Sequence, residues 1–289
     1  ALDLFRPIRR EKIKMISVFG SARTPKSDPQ YKMVCRLGEQ LYRAGFAVVT
    51  GASQGVMEAA NEGVSHGIIK QLLKGKKGVG SSRLAHSPAY KKLLSRYSAG
   101  LKISLPMEPD ANPYIGVSAI FHYFMIRKFF FATLSSGFIA CEGGWGTRDE
   151  LFEILTLVQT GKAPLMPIVY LSRKPDHLLH DFRSVVKNKF VSAGDLRLIE
   201  FVKTPEAAVR AIQKFYRVVD RVEHKKQGDI WIELKKSVPS TKRRAVEREI
   251  KRSKASVDEV VWTGKSLTLK RYRPKSFGDL RKIVDLLNF

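Results

Sequence analysis

From Met15 onward the chain alternates short runs of β-branched and aromatic residues with longer stretches whose apolar positions recur every three or four residues. Ile16-Ser17-Val18-Phe19 predicts a first strand and Phe46-Ala47-Val48-Val49 a second. Between them, Met33, Val34, Leu37 and Leu41 share one face of a helix over 31–44, which Gly45 ends. A second helix is expected over 56–65 and a third strand over 101–105. A helix dense in aromatics (Phe121, Tyr123, Phe124, Phe129, Phe130, Phe131) is expected over 118–134. Gly137-Phe138-Ile139-Ala140 predicts a fourth strand running into the turn Cys141-Glu142-Gly143-Gly144-Trp145-Gly146-Thr147. A helix opens at Gly146 or Thr147 and continues over 151–159, and a fifth strand follows at 167–171. Alternation of this kind, up to about Val218, predicts an α/β fold: a doubly wound parallel, Rossmann-like sheet with ligands at the C-terminal ends of its strands.

Two segments break the rhythm. Over 67–100 there is no acidic residue, while Lys70, Lys74, Lys76, Lys77, Arg83, Lys91, Lys92 and Arg96 crowd together, so a basic surface loop inserted into the domain is expected. Beyond residue 219 the pattern predicts strands at 230–234, 259–263 and 266–272, with helices at 241–251 and 277–287. This is a small basic α+β extension, giving a domain at 1–218 and a second at 219–289. Its first helix carries Lys242, Arg243 and Arg244, but Glu247 and Glu249 interrupt the run, which leaves open a solvated, charge-paired face.

Charge changes the picture more than composition does. Fifty-two lysines and arginines against 27 acids give a net charge of +25, which favours a polyanionic partner, nucleic acid before anionic membrane. A hydrophobic content of 44% argues against wholesale disorder. No apolar run is long enough to span a membrane, and Arg127 and Lys128 break the most apolar stretch. Cys35 and Cys141 sit in apolar settings and are expected to be buried free thiols, with no disulfide framework, no metal site and no cofactor. His66, His86, His122, His177, His180 and His224 show no convergent acid or cysteine partner. The chain begins at Ala1, consistent with removal of a methionine or of an organelle-targeting segment. A mitochondrial matrix or other organellar setting is therefore expected before a cytoplasmic one, which stays open as the alternative.

The turn after the fourth strand carries the clearest chemistry. Gly143, Gly144 and Gly146 let backbone N–H groups approach an anion, and the helix start at Thr147 adds its positive dipole end. Such a turn suits a phosphate, and Glu150 stands one helical turn further on. As a bland alternative, Glu150 is a first-turn acid favoured by the dipole, and Arg127 snorkels from an aromatic helix. The aromatic stripe reads as core or a dimer face before a base-stacking platform. Tyr31 and Trp145 read as core or rim packing.

Taken as an ordered set, the motifs resemble the LOG-like family of Rossmann-fold phosphoribohydrolases, formerly misannotated as lysine decarboxylases. They include Phe19-Gly20-Ser21-Ala22-Arg23, the run from Thr50-Gly51 through Gly55-Val56-Met57-Glu58-Ala59-Ala60-Asn61, Tyr123 to Lys128, and the Gly143–Glu150 turn. The resemblance extends to Leu105-Pro106-Met107-Glu108, Asn112-Pro113-Tyr114 and the tail of the longer members. It implies cleavage of the N-glycosidic bond of nucleoside 5′-monophosphates, without metal or redox cofactor, by a homodimer with active sites close to the subunit interface. Carried onto this chain, Gly20, Ser21, Gly51, Gly55, Gly143, Gly144, Gly146 and Thr147 would bind the nucleotide and its phosphate. Arg127 and Glu150 would form the catalytic pair.

The chain departs from the family pattern where Ala52 and Ser53 replace glycines and Glu142 replaces a proline. Added Cβ atoms and a nearby carboxylate predict an eroded phosphate cradle. Charge and erosion together favour a LOG-like scaffold recruited as an RNA-binding component of a ribonucleoprotein, of the organellar-ribosome type. Its RNA contacts would come from Lys70, Lys74, Lys76, Lys77, Arg83, Lys91, Lys92, Arg96, Lys242, Arg243 and Arg244. The alternative is an active phosphoribohydrolase, and a third reading is a nucleotide-sensing module.

Overall fold

In the computed structural model of the chain the described residues are Phe5, Ile8, 11–75, 80–104 and 111–288. Strands β1 (Met15–Phe19), β2 (Ala47–Thr50), β3 (Ser98–Ile103), β4 (Val117–Phe121), β5 (Ser135–Cys141), β6 (Ile168–Leu171) and β7 (Ile199–Val202) build a parallel sheet. Their order is β4-β3-β2-β1-β5-β6-β7. Every residue of β1 and β2 is buried, as expected of central parallel strands covered on both faces. Helix α1 (Pro29–Arg43) starts where the Asp28 side chain accepts the Gln30 N–H at 2.6 Å and Pro29 takes the first turn, and it buries Met33, Val34, Leu37 and Leu41. Helix α2 runs Val56–Leu73, and two short helices follow, α3 (Ser81–Ala85) and α4 (Pro88–Tyr97).

Helices α5 (Phe124–Leu134), α6 (Trp145–Gln159), α7 (Asp176–Lys187) and α8 (Pro205–Phe215) complete the alternation. A separate antiparallel sheet of β8 (Val219–His224), β9 (Ile230–Leu234), β10 (Glu259–Thr263) and β11 (Ser266–Lys270) has the order β10-β11-β9-β8. Alternate residues of this sheet, among them Val222, Ile232, Leu267 and Leu269, are buried. So are Val246 and Ile250 of α9 (Ser240–Arg252) and Leu280, Ile283, Val284 and Leu287 of α10 (Phe277–Leu287). Two compact units divide the chain: Ala1–Leu151 with Tyr170–Arg173 and Val202–Val209, and the remainder, Phe152–Val169, Lys174–Phe201 and Arg210–Phe289.

Two expectations are corrected. The helix expected over 118–134 is a strand followed by a shorter helix. Burial over Val117–Phe121 alternates residue by residue, the period of an edge strand, and β4 pairs with β3 from Ala99↔Val117 to Ile103↔Phe121. A run this rich in aromatics satisfies both periodicities, so helical spacing alone misassigned residues 118–123. The loop expected over 67–100 is largely helical. Tyr90 and Leu94, one turn apart on α4, are buried, and Ser87 caps that helix by accepting the Tyr90 N–H at 3.2 Å. Lysine abundance masked an ordinary amphipathic pattern. Helices α7 and α8 and strands β7 and β8 are not among the elements the hydrophobic pattern predicts.

Candidate active site

Strand β1 has β2 on one side and β5 on the other, so the winding of the sheet reverses between β1 and β5. Two turns leave the C-terminal ends of these strands, Gly20–Arg23 and Glu142–Gly146, and such a reversal opens a crevice between them. Backbone contacts fix the turns together: the Ser21 N–H donates to the Glu142 carbonyl at 3.1 Å, and the Val56 N–H to the Ser21 carbonyl at 3.0 Å. Gly55 permits the second contact. Its φ is +65°, and a Cβ there would lie 2.4 Å from the Ser21 carbonyl oxygen. Gly143 is equally constrained, since its Cβ would lie 2.2 Å from Thr147 Oγ1 and 2.9 Å from the Ser21 nitrogen.

The crevice is a cavity of about 600 Å³, within the range of small-molecule sites. Of the expected residues, Gly20, Ser21, Gly51, Gly144, Gly146, Thr147, Arg127 and Glu150 all line it, while Gly55 and Gly143 stand behind as the close-approach positions. Cβ atoms on Gly144 or Gly146 would meet no protein atom within 4 Å, so both face open space at the start of α6. Ser53, Phe124 and Trp145 also line the cavity, with Met57 and Arg23, the last in the turn after β1; none of the five is among the expected site residues. Trp145 is 88% exposed, a rim residue.

Arg127 on α5 and Glu150 on α6 meet at the cavity wall, Nη2 to Oε1 at 3.3 Å, with side-chain exposures of 12% and 5%. A second pair, Lys128 Nζ to Asp149 Oδ1 at 2.8 Å, joins the same two helices one residue along. Arg127 Nε is buried without a hydrogen-bond partner among the described residues. Its guanidinium carbon lies 5.1 Å from the Phe124 ring centroid and 5.9 Å from that of Phe131. The arrangement is a charge pair against aromatic walls with one donor unspent, suited to fixing an anionic or hydroxylated ligand beside a carboxylate.

The expected erosion of the cradle takes a different form. Ala52 has φ +66°, the conformation a glycine would take, so the turn keeps its shape in spite of the Cβ. Thr50 Oγ1 accepts the Ala52 N–H at 3.1 Å and donates to Asn61 Oδ1 at 2.8 Å, which ties the turn down from below. Glu142 directs its carboxylate to the Ser172 hydroxyl, which donates to it, and does not line the cavity. The nearby Tyr170 is pushed up to about 12, first by burial and then by the Glu142 charge, with Arg148 opposing.

The aromatic stripe divides. Phe131 and Leu134 are buried, but Ile120 on β4, Tyr123 just before α5, and Met125 and Phe129 one turn apart on α5 are 63–78% exposed. Of the two readings, core or dimer face, core holds for the buried residues, and the exposed ones are left to the second. Among the histidines, His66 has partners after all: its Nδ1 lies 3.4 Å from Cys35 Sγ and its Nε2 3.7 Å from Glu62 Oε1. Helical spacing on α2 and the α1–α2 packing bring these together, and separation in sequence hid them. Burial, then Glu62 and Glu39, push the Cys35 thiol up to about 11, and burial pushes Cys141 up to about 12. Tyr31 is buried and donates its hydroxyl to Glu62 Oε2 at 2.5 Å.

The residues expected to contact RNA separate into engaged and free. Lys70 pairs with Glu39 at 2.7 Å and Arg96 with Glu11 at 2.6 Å. Arg243 donates to the Val238 carbonyl at 3.0 Å, and Lys242 is also engaged. Lys74, Arg83, Lys91, Lys92 and Arg244 are exposed, and Lys76 and Lys77 lie outside the described residues. Among the described residues no three His, Cys, Asp or Glu side chains converge on a metal site, and no helix is long and apolar enough to cross a membrane.

Sheet order, crevice and glycine turns define a Rossmann-like protein with a site of nucleotide-binding type. The chain belongs to the LOG-like family: the family model described as "Possible lysine decarboxylase" matches residues 49–212, more than half of the chain. A second model, the SLOG cluster4 family, matches residues 13–69. A bifunctional cytokinin biosynthesis protein of Fusarium pseudograminearum (strain CS3096) is 24% identical over 220 residues, 73% of this chain and 42% of that protein. The chain thus spans less than half the length of that relative. Among solved structures, the molybdenum cofactor carrier protein of Chlamydomonas reinhardtii is similar at 18% identity and a TM-score of 0.45, covering 70% of this chain and 97% of that one. The molybdenum cofactor binding protein of the phototrophic bacterium Rippkaea orientalis is similar at 20% identity and a TM-score of 0.42, covering 70% and 96%.

Proposed function

We propose that the cavity binds a nucleoside 5′-monophosphate and hydrolyses its N-glycosidic bond. The buried Arg127–Glu150 pair, set in the wall of a cavity that an open glycine turn also lines, carries this reading. The phosphate would sit on the N–H groups at the start of α6, where Gly144 and Gly146 leave room and Thr147 adds a hydroxyl. Arg127, which lines the cavity, would hold the ribose through its guanidinium. Breaking the bond between C1′ and the base nitrogen leaves an oxocarbenium-like centre beside Glu150. Glu150 stabilises that charge and accepts a proton from the attacking water, whose oxygen bonds to C1′. The base leaves with the bonding pair and takes up a proton, so the products are ribose 5-phosphate and free base.

The family resemblance also leads us to propose a second copy of this chain over the exposed apolar face of Ile120, Tyr123, Met125 and Phe129. This face adjoins Phe124 and Arg127, which line the cavity. The test is chromatographic detection of free base after incubation with AMP, GMP, CMP and UMP. Release that disappears in Glu150→Gln is expected, and full-rate release by Glu150→Gln removes the assignment.

A further inference from the structure

Helix α9, Ser240–Arg252, carries Arg243, Arg244, Arg248, Lys251 and Arg252 with Glu247 and Glu249 between them. In sequence this reads as alternating charge; in the structure the signs separate. Glu247 Oε1 accepts the Trp262 indole N–H at 3.0 Å, and Glu249 Oε1 pairs with Lys282 Nζ at 2.7 Å, so both carboxylates are spent on neighbouring elements. Arg243 is spent likewise, its guanidinium carbon 5.2 Å from the Trp262 ring centroid. Val246 and Ile250 are buried. What faces solvent is Arg244, Arg248, Lys251 and Arg252, all exposed and none in an ion pair among the described residues.

Spacings of four, three and one residues set these four on a single strip, roughly 12 Å long at the rise of an α-helix. Like charges so placed repel one another, so the strip costs folding energy unless a partner neutralises it. We propose that this strip docks the phosphate backbone of a nucleic acid. Three of its four residues are arginines, whose planar forks match phosphate oxygens. A bilayer-binding helix lays an apolar face into the lipid, whereas the apolar face of α9 is already buried within its own unit. The net charge of +25 adds long-range attraction. Docking of this kind is independent of base sequence and separate from the cavity chemistry.

The full-length protein is titrated against fluorescently labelled RNA and DNA duplexes of one sequence, and against phosphatidylserine–phosphatidylcholine vesicles. Both duplexes bind, with affinity that falls steeply between about 50 and 200 mM salt. In Arg244→Gln/Arg248→Gln/Arg252→Gln, affinity at the lower salt drops at least about tenfold and the slope against log salt becomes shallower by about 2 to 3, one unit for each lost phosphate contact. The corresponding triple lysine variant keeps most of the binding and guards against misfolding as the cause, as do unchanged melting and unchanged base release. Lys91→Gln/Lys92→Gln keeps the wild-type slope. Equal affinity and slope in the glutamine variant overturns the proposal, as does binding confined to vesicles or to the Lys91–Lys92 surface.

Discussion

Arg127 and Glu150 are brought within 3.3 Å by adjacent helices while the Nε of the arginine keeps no partner among the described residues. A purely structural ion pair buried to this degree would ordinarily satisfy every donor, because an orphaned buried N–H costs about 1–3 kcal/mol. Both side chains instead line a cavity with room for a ligand. Glu150→Gln, which keeps the shape and loses the charge, is therefore expected to lower kcat by about 10²- to 10⁴-fold with little change in KM. Arg127→Ala should raise KM as well as lower kcat. Steady-state kinetics on the monophosphate that releases base most rapidly checks both.

The glycines of the turn after β5 divide into two kinds, and alanine substitutions distinguish them. Gly143→Ala places a Cβ 2.2 Å from Thr147 Oγ1, so Thr147 must shift; melting should show a loss of about 1–3 kcal/mol. Gly144→Ala meets no protein atom and should leave melting unchanged. It should nevertheless raise KM for the monophosphate, since the methyl group would stand where the phosphate must lie. Equal KM effects on the monophosphate and the unphosphorylated nucleoside would remove the phosphate from this turn.

Central strands and the turns that follow them were legible because their signals are local: β-branched runs of four or five residues, then glycine at the reversal. Cavity residues on those turns follow from the same signals. What stayed hidden depends on tertiary direction. The side chain of Glu142 turns to Ser172, thirty positions away, and nothing local announces it. Glu247 and Glu249 look like charge partners for their own helix until Trp262 and Lys282 claim them. Ala52 at φ +66° shows the limit of propensity: the turn is held by Thr50 and Asn112, and the backbone accepts a costly conformation where glycine is the usual solution.

The exposed apolar face of β4 and α5 predicts self-association. Phe129 is 63% exposed and Met125 78%, an arrangement a monomer seldom keeps on its surface. Light scattering on the purified chain should report a dimer, and Met125→Asp/Phe129→Asp should shift it to monomer without lowering the melting temperature of the fold. A wild-type monomer at micromolar concentration removes the second copy from the proposal.

His224 supplies the pH dependence. Burial lowers its pKa below the ordinary 6.5, its Nε2 is buried without a partner among the described residues, and its ring lies 5.5 Å from that of Phe277. The folded state therefore holds His224 neutral at a pH where the unfolded chain already binds a proton. The unfolded state gains stability as pH falls through 6.5, so the contribution of His224 is fully present above that value and is lost on acidification toward its depressed folded pKa. Thermal unfolding followed from pH 7.5 to 5 should show a falling midpoint, and His224→Gln should flatten the part of the fall that begins near pH 6.5. Its own midpoint at neutral pH is free to be lower, since the replaced ring packs on Phe277; the test is the difference in slope. Parallel curves for the two proteins would mean that His224 titrates alike in both states, and that the orphaned nitrogen is reached by water.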